Sequence, residues 1–183
     1  AVDPSAAVAF IDPARATALL GTRWQRPRVC YRDVASSTNK LTLMAAVLPG
    51  GVVSTHTLFC SRAGLDDDDS WCLTALLNSL VANYLVRLQM STHVTAALMA
   101  RLPVPRPQPG TPTHARLAAL AIALSIRGSI EEAPEEYAEL NAIVAHRYGL
   151  TQAQYAHVVS GFPLLPKPLR AGCVERFGAV NTV

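Results

Sequence analysis

The stretch WQRPRVCYRDVASSTNKLTLMAAVLP, residues Trp24–Pro49, decides the fold class. Arg28–Ala35 alternates, with Val29 and Tyr31 on one face and Arg28, Cys30 and Arg32 on the other. That is the period of a half-buried strand. The polar run Ser36-Ser37-Thr38-Asn39 interrupts the pattern, and Leu41–Leu48 resumes as an apolar run closed by Pro49-Gly50-Gly51, a strong turn signal. Val52–Cys60, rich in Val, Thr and Phe, supplies a third strand candidate. The front third therefore reads as a small, largely antiparallel sheet.

Helices flank it on both sides. Asp12-Pro13 opens a short helix that Gly21 ends. Asp66–Ser70 caps a helix expected to run unbroken to about Met90, with the aspartates at its positive end. The other reading of Asp66–Asp69 is a divalent-metal site, but four consecutive carboxylates cannot all converge on one ion. Trp71–Met90 carries Asn78, Asn83, Arg87 and Gln89, so it reads as a buried helix rather than a lipid-spanning one, and no membrane partner is expected. Arg101–Pro112 holds five prolines and must be extended. Beyond it, Thr113 to about Arg127, Pro134 to Gly149 and a capping box at Thr151 mark three further helices. The expected class is α/β (α+β): a small mixed or antiparallel sheet with one long buried helix, followed by a helical C-terminal subdomain. Residues 1–107 form the sheet-bearing part, and 108–183 form a Pro-rich linker and helical tail packed on it.

Half of the residues are apolar and 16% are charged, a globular composition. The chain opens on Ala rather than Met, which suggests a piece of a longer protein. Cys30, Cys60, Cys72 and Cys173 have no metal-ligand spacing and read as buried reduced thiols of a cytosolic protein. Charge is unevenly placed. Pro13–Arg62 holds six Arg and one Lys against Asp33 alone, and Ser70–Ile130 holds five Arg and no acid. Glu131–Glu175 holds six Glu against three bases. A basic body with an acidic rear points to a polyanionic partner for the front two-thirds. Arg outnumbers Lys 14 to 2, which suits bidentate contacts to guanine edges and phosphates, although a GC-rich genome produces the same ratio.

Three stretches together resemble a known family. Trp24–Pro49 is similar to the opening strands of the C-terminal target-recognition domain of adenine-specific DNA methyltransferases of the Taq type. Leu77–Pro107 (LNSLVANYLVRLQMSTHVTAALMARLPVPRP) resembles the helix and Leu-Pro-x-Pro exit of that domain, and Leu140–Leu165 resembles its tail. Type IIG restriction enzymes, which fuse cleavage, methylation and specificity in one chain, carry the same domain. The resemblance implies sequence-specific binding of double-stranded DNA in the bacterial cytoplasm, as part of a restriction–modification system. The catalytic methyltransferase domain would lie in the same parent chain.

Chemistry itself is not expected here. The chain lacks an Asn/Asp-Pro-Pro-aromatic motif, a glycine-rich cofactor loop, Gly-x-Ser-x-Gly, His-Glu-x-x-His and a Walker lysine. No cofactor is expected in this chain, and S-adenosylmethionine would belong to the parent enzyme. Two clusters are candidates for DNA contact. The first comprises Arg23, Arg26, Arg28, Arg32 and Lys40 with the loop Ser36–Asn39, the arginines clamping phosphates. Its bland reading is a solvated sheet face with a turn. The second is Gln89–Thr95, with Ser91, Thr92 and His93 at its centre and Arg87 and Arg101 beside it. The resemblance places this loop near DNA, and short polar side chains suit base edges. Its other reading is a helix C-cap loop in which His93 bonds a terminal carbonyl. The acidic run Glu131–Glu139 is expected to face away from DNA. Rival functions are a protein–protein docking module of a multidomain enzyme, marked by an exposed apolar surface, and a small hydrolase, marked by a deep pocket.

Overall fold

The structure, a computed structural model, describes residues 9–90 and 92–179. The chain is α+β. Helix α1 (Pro13–Leu20) begins where Asp12 accepts a bond from the Arg15 amide and ends at Gly21, as its cap residues predict. Strands β1 (Arg28–Arg32), β2 (Ala45–Leu48) and β3 (Leu58–Cys60) form an antiparallel sheet in the order β2-β1-β3. The Pro49-Gly50-Gly51 turn closes against the chain entering β1. The Gly51 amide, at φ 85°, bonds the Trp24 carbonyl, and a side chain on Gly50 would collide with the Gln25 carbonyl.

The expected single helix over residues 66–90 is two. Helix α2 (Asp67–Asn78) stops at Ser79, whose backbone is extended, and α3 (Leu80–Arg87) starts there. Ser79 Oγ donates to the Leu76 carbonyl at 2.7 Å and accepts from the Ala82 amide at 3.2 Å. The amide of Leu80, orphaned by the break, is taken up by the Asn141 side chain at 2.6 Å. Serine competes for helical backbone groups and so favours a cap over a helix interior. The break aims α2 and α3 at different partners.

Helix α4 (Ala96–Arg101) and an extended proline-rich segment lead to α5 (Pro112–Ser125), α6 (Pro134–Arg147), α7 (Gln152–Ser160) and α8 (Lys167–Ala179). The last of these was not among the predicted helices. Three apolar clusters share the α2–α3 wall. Val29, Leu43, Leu77, Val86, Val94 and Leu98 fill the space between sheet, helices and the α4 segment. Leu76, Leu117, Leu120, Leu140 and Val144 join α2, α5 and α6. Val81, Tyr137, Tyr155, Phe162 and Phe177 join α3 to the last three helices. Burial of each such side chain contributes about 1.5–3 kcal/mol. Among the described residues, no helix is long and apolar enough to cross a membrane.

Candidate nucleic-acid interface

The first face of the sheet is bound to α2 and α3 by asparagines rather than by apolar contact alone. Asn78 meets both backbone groups of Ala45, each at 2.8 Å, as a neighbouring strand would. Asn83, fully buried, accepts from the amides of Thr42 and Leu43 at 2.9 Å and donates to the Ser79 carbonyl at 3.0 Å. Two of the polar residues that argued against a lipid-spanning helix, Asn78 and Asn83, are thus clamps on the chain between β1 and β2, while Gln89 bonds the Leu85 carbonyl of α3. A buried amide must be satisfied, and the backbone leading into β2 is what satisfies these.

Arg87 completes the clamp. It donates to Thr42 Oγ1 at 2.9 Å, to the Gly161 carbonyl at 2.7 Å, to the Lys40 carbonyl at 3.1 Å and to the Asn39 carbonyl. Its guanidinium lies 4.0 Å over the Phe162 ring, and burial pulls its pKa below the usual arginine value. The expectation of a DNA contact at Arg87 is corrected: every arm of the fork is used to staple the 39–42 loop to the rear helices.

Arg28 is corrected too. It is buried, and its Nη2 donates to the Val52 carbonyl, because the Val52–Ser54 crossing covers this end of the second sheet face. Strand alternation marked Arg28 as exposed, and that crossing was not visible in the period. Arg32 is half-buried. With the Asn39 amide oriented to satisfy both its groups, Arg32 Nη2 donates to Asn39 at 3.2 Å, and its Nε is buried without a partner. Lys40 is exposed but ion-paired to Glu131. The acidic run therefore does not face wholly away from the basic cluster: Lys40 holds the Glu131 carboxyl below its usual range. Glu139 of the same run is neutralised within the rear, by Arg116 at 2.6 Å and Arg176 at 3.1 Å.

Arg26 stays exposed, its Nη2 donating to the Arg62 carbonyl at 3.0 Å. Arg23 is exposed beside it in sequence, its Nε bonding the Leu20 carbonyl at 3.3 Å. This end of β1 lies about 16 Å of strand rise from the Asp33 end. Arg62 is followed closely by Asp66, Asp67 and Asp68, all exposed, which weaken the positive field there. Asp66 caps α2 by accepting from the Asp69 amide at 2.7 Å, and Asp69 pairs with His114 at 2.8 Å. Among the described residues no group of His, Cys, Asp and Glu is placed to hold a metal ion.

The two sequence clusters do meet at the other end of β1. Val34 and His93 form an antiparallel bridge, with the Ala35 amide on the Thr92 carbonyl at 3.2 Å and the Val94 amide on the Asp33 carbonyl at 2.8 Å. Val94 is fully buried, and Thr95 caps α4 by accepting from the Leu98 amide at 3.2 Å. The segment after α3 is thus pinned on both sides of His93. His93 Nδ1 contacts Asp33 Oδ2 at 3.0 Å while its side chain stays 52% exposed, so the ring faces a carboxylate and not the helix-terminal carbonyl of the capping alternative. The Asp33 carboxylate makes Nδ1 the donor. Nε2 is then an acceptor in the neutral ring and a donor in the charged one.

Thr92 is exposed next to it, and Ser37 and Thr38 are exposed on the facing loop, where Ser36 Oγ and Thr38 Oγ1 lie 2.8 Å apart. Arg101 is exposed at the end of α4, and Ser91 lies outside the described residues. Asp33 was not among the predicted site residues. The signal for Asp33 was present, as the single acid in a stretch of seven bases.

No family model, curated protein or solved structure matches the chain.

Proposed function

We propose that the chain reads the sequence of double-stranded DNA, as the target-recognition part of an adenine-specific DNA methyltransferase or a fused restriction–modification enzyme of the bacterial cytoplasm. The observation that carries this reading is the Val34–His93 bridge. It joins two polar loops far apart in sequence into one rim of short donors and acceptors, Ser37, Thr38, Thr92 and His93, mounted on buried clamps. A recognition surface needs such side chains held on a rigid scaffold. Arg23, Arg26, Arg62 and Arg101 are among the exposed cations left for phosphates once Arg28, Arg87 and Lys40 are spent on the fold. Catalysis is assigned to a methyltransferase domain of the parent chain, which would bind S-adenosylmethionine and flip the adenine.

Fluorescence anisotropy with duplex DNA at low and moderate salt tests it. Dissociation constants on the order of 10⁻⁴–10⁻⁶ M that weaken steeply with salt are expected. No binding at low salt, or binding indifferent to salt, overturns the reading. A docking module is the second reading, favoured by one observation: Val34, just past β1, and Met44, just before β2, are 51% and 46% exposed.

A further inference from the structure

We propose that Cys30 and Cys60 form a redox-active dithiol that hydroperoxides close into a disulfide across the sheet. The inference is independent of the DNA-binding reading. Cys30 on β1 stands opposite Cys60 on β3 in the antiparallel register. The Ser61 amide bonds the Val29 carbonyl at 2.8 Å, so the ladder bonds fall on the flanking pairs and the two cysteines occupy a non-hydrogen-bonded pair. Cα atoms at such a pair lie about 4.5 Å apart with their side chains close. That is inside the ~4.4–6.8 Å that a disulfide spans. Both thiols are free.

The two sulfurs differ in a way that orders their roles. Cys30 is 2% exposed, and its Sγ lies 3.4 Å from the Ala46 carbonyl. Cys60 is half-buried, with Ser54 Oγ at 3.3 Å from its sulfur. The Cys30 thiol facing it, with Ser54 and the buried Arg28 guanidinium, holds Cys60 below the usual thiol pKa, while Cys30 is raised by facing Cys60 and by burial. Burial pushes the other two cysteines up, Cys72 to about 11 and Cys173 to about 12, so they stay thiols.

Cys60 is the attacking sulfur. Its thiolate takes the terminal oxygen of the hydroperoxide, the O–O bond breaks, and the leaving oxygen departs as water or an alcohol after gaining a proton. Cys60 is now a sulfenic acid. Cys30 attacks that sulfur, the S–S bond forms, the S–O bond breaks, and the hydroxyl leaves as water with the Cys30 proton. Two thiols lose two electrons and one hydroperoxide gains them. A cytosolic thiol pool would reopen the bond.

The test treats the 183-residue chain with equimolar hydrogen peroxide and reads intact mass and a peptide map. Loss of two hydrogens, a Cys30–Cys60 cross-linked peptide and reversal by dithiothreitol are expected. With Cys30→Ser, oxidation stops at a Cys60 sulfenic acid that dimedone captures. Added oxygen without a cross-link in the unsubstituted chain, or a linkage through Cys72 or Cys173, overturns the proposal. A measurement that needs no variant is iodoacetamide labelling at neutral pH, where Cys60 should react at least about tenfold faster than Cys72 and Cys173 because the thiolate is the nucleophile. Equal rates overturn it as well.

Discussion

The sheet-bearing front and the helical rear are held together by different chemistry. In the rear, α5 to α8 meet through Leu117, Leu120, Leu140, Tyr155, Phe162 and Phe177, and the ion pairs around Glu139 sit at the surface. In the front, the connection from β1 to β2 buries Ala35 and Leu43 and is also fastened by side chains that bond backbone: Asn83 and Arg87 hold the connection itself, and Asn78 holds the start of β2. Backbone clamps ignore what the loop's side chains are. A loop held in this way can change Ser37 or Thr38 without losing its position. Apolar packing gives no such freedom, since each side chain is itself the contact.

The contrast predicts opposite responses to shape-conserving substitutions. In the rear, Leu140→Ala should lower stability by about 2–5 kcal/mol, while Leu140→Met should cost under about 1.5 kcal/mol, because packing tolerates a volume-conserving swap. In the front, Asn83→Leu keeps the approximate shape but strands the Thr42 and Leu43 amides. A loss of about 2–4 kcal/mol is expected, since each buried unsatisfied amide costs roughly 1–3 kcal/mol. Urea unfolding of the three variants decides it. If Asn83→Leu is as mild as Leu140→Met, the front is packed like the rear and the clamp account fails.

Arg87→Lys sharpens the same point. A lysine reaches one acceptor where the guanidinium reaches four oxygens and a ring, and about 1–2 kcal/mol should be lost. DNA affinity corrected for the folded fraction should not change. An affinity loss beyond that fraction would put Arg87 back among the DNA contacts.

The pH response separates the regions too. Arg116 and then Arg176 hold the Glu139 pKa down in the folded chain. A carboxylate depressed on folding contributes stability that is present above its unfolded pKa and is lost as pH falls through the folded one. Unfolding free energy should therefore drop as pH is lowered below about 4.5, and Glu139→Gln should flatten that part of the curve. An unchanged pH profile in the variant would show that Glu139 carries none of the rear's acid sensitivity.

The smallest stability effect is expected at the rim. His93→Ala should change stability by no more than about 0.5 kcal/mol, yet alter target-site preference in the proposed parent enzyme, where each lost base contact costs ~1–3 kcal/mol of discrimination. Target-site profiling of that variant reads the second effect. Unchanged preference would leave His93 as the partner of Asp33 and nothing more.

Period and capping made the helices and the sheet legible. Asp12, Asp66 and Thr151 cap helices by their own side chains where the sequence places them, whereas α5 is capped by Thr111 and not by the expected Thr113. The break at Ser79 was hidden because α2 and α3 are both apolar and buried, and the partner that satisfies the freed Leu80 amide, Asn141, lies far along the chain. The candidate site was half legible. The polar loops could be found as composition, and their meeting could not, because the bridge between Val34 and His93 is a tertiary contact. Basic residues misled for a related reason. Arg28 and Arg87 look like surface charge in sequence, but a long guanidinium can cross a core boundary and spend its donors on carbonyls.

The most direct test of the central claim is amide chemical-shift mapping of the chain titrated with duplex DNA. The account predicts that the largest shifts fall on Asp33–Asn39 and Thr92–Val94, with lesser ones at Arg26, Arg62 and Arg101. Shifts confined to α5–α8, or centred on Met44 and Val34 only with a protein partner and absent with DNA, would contradict it.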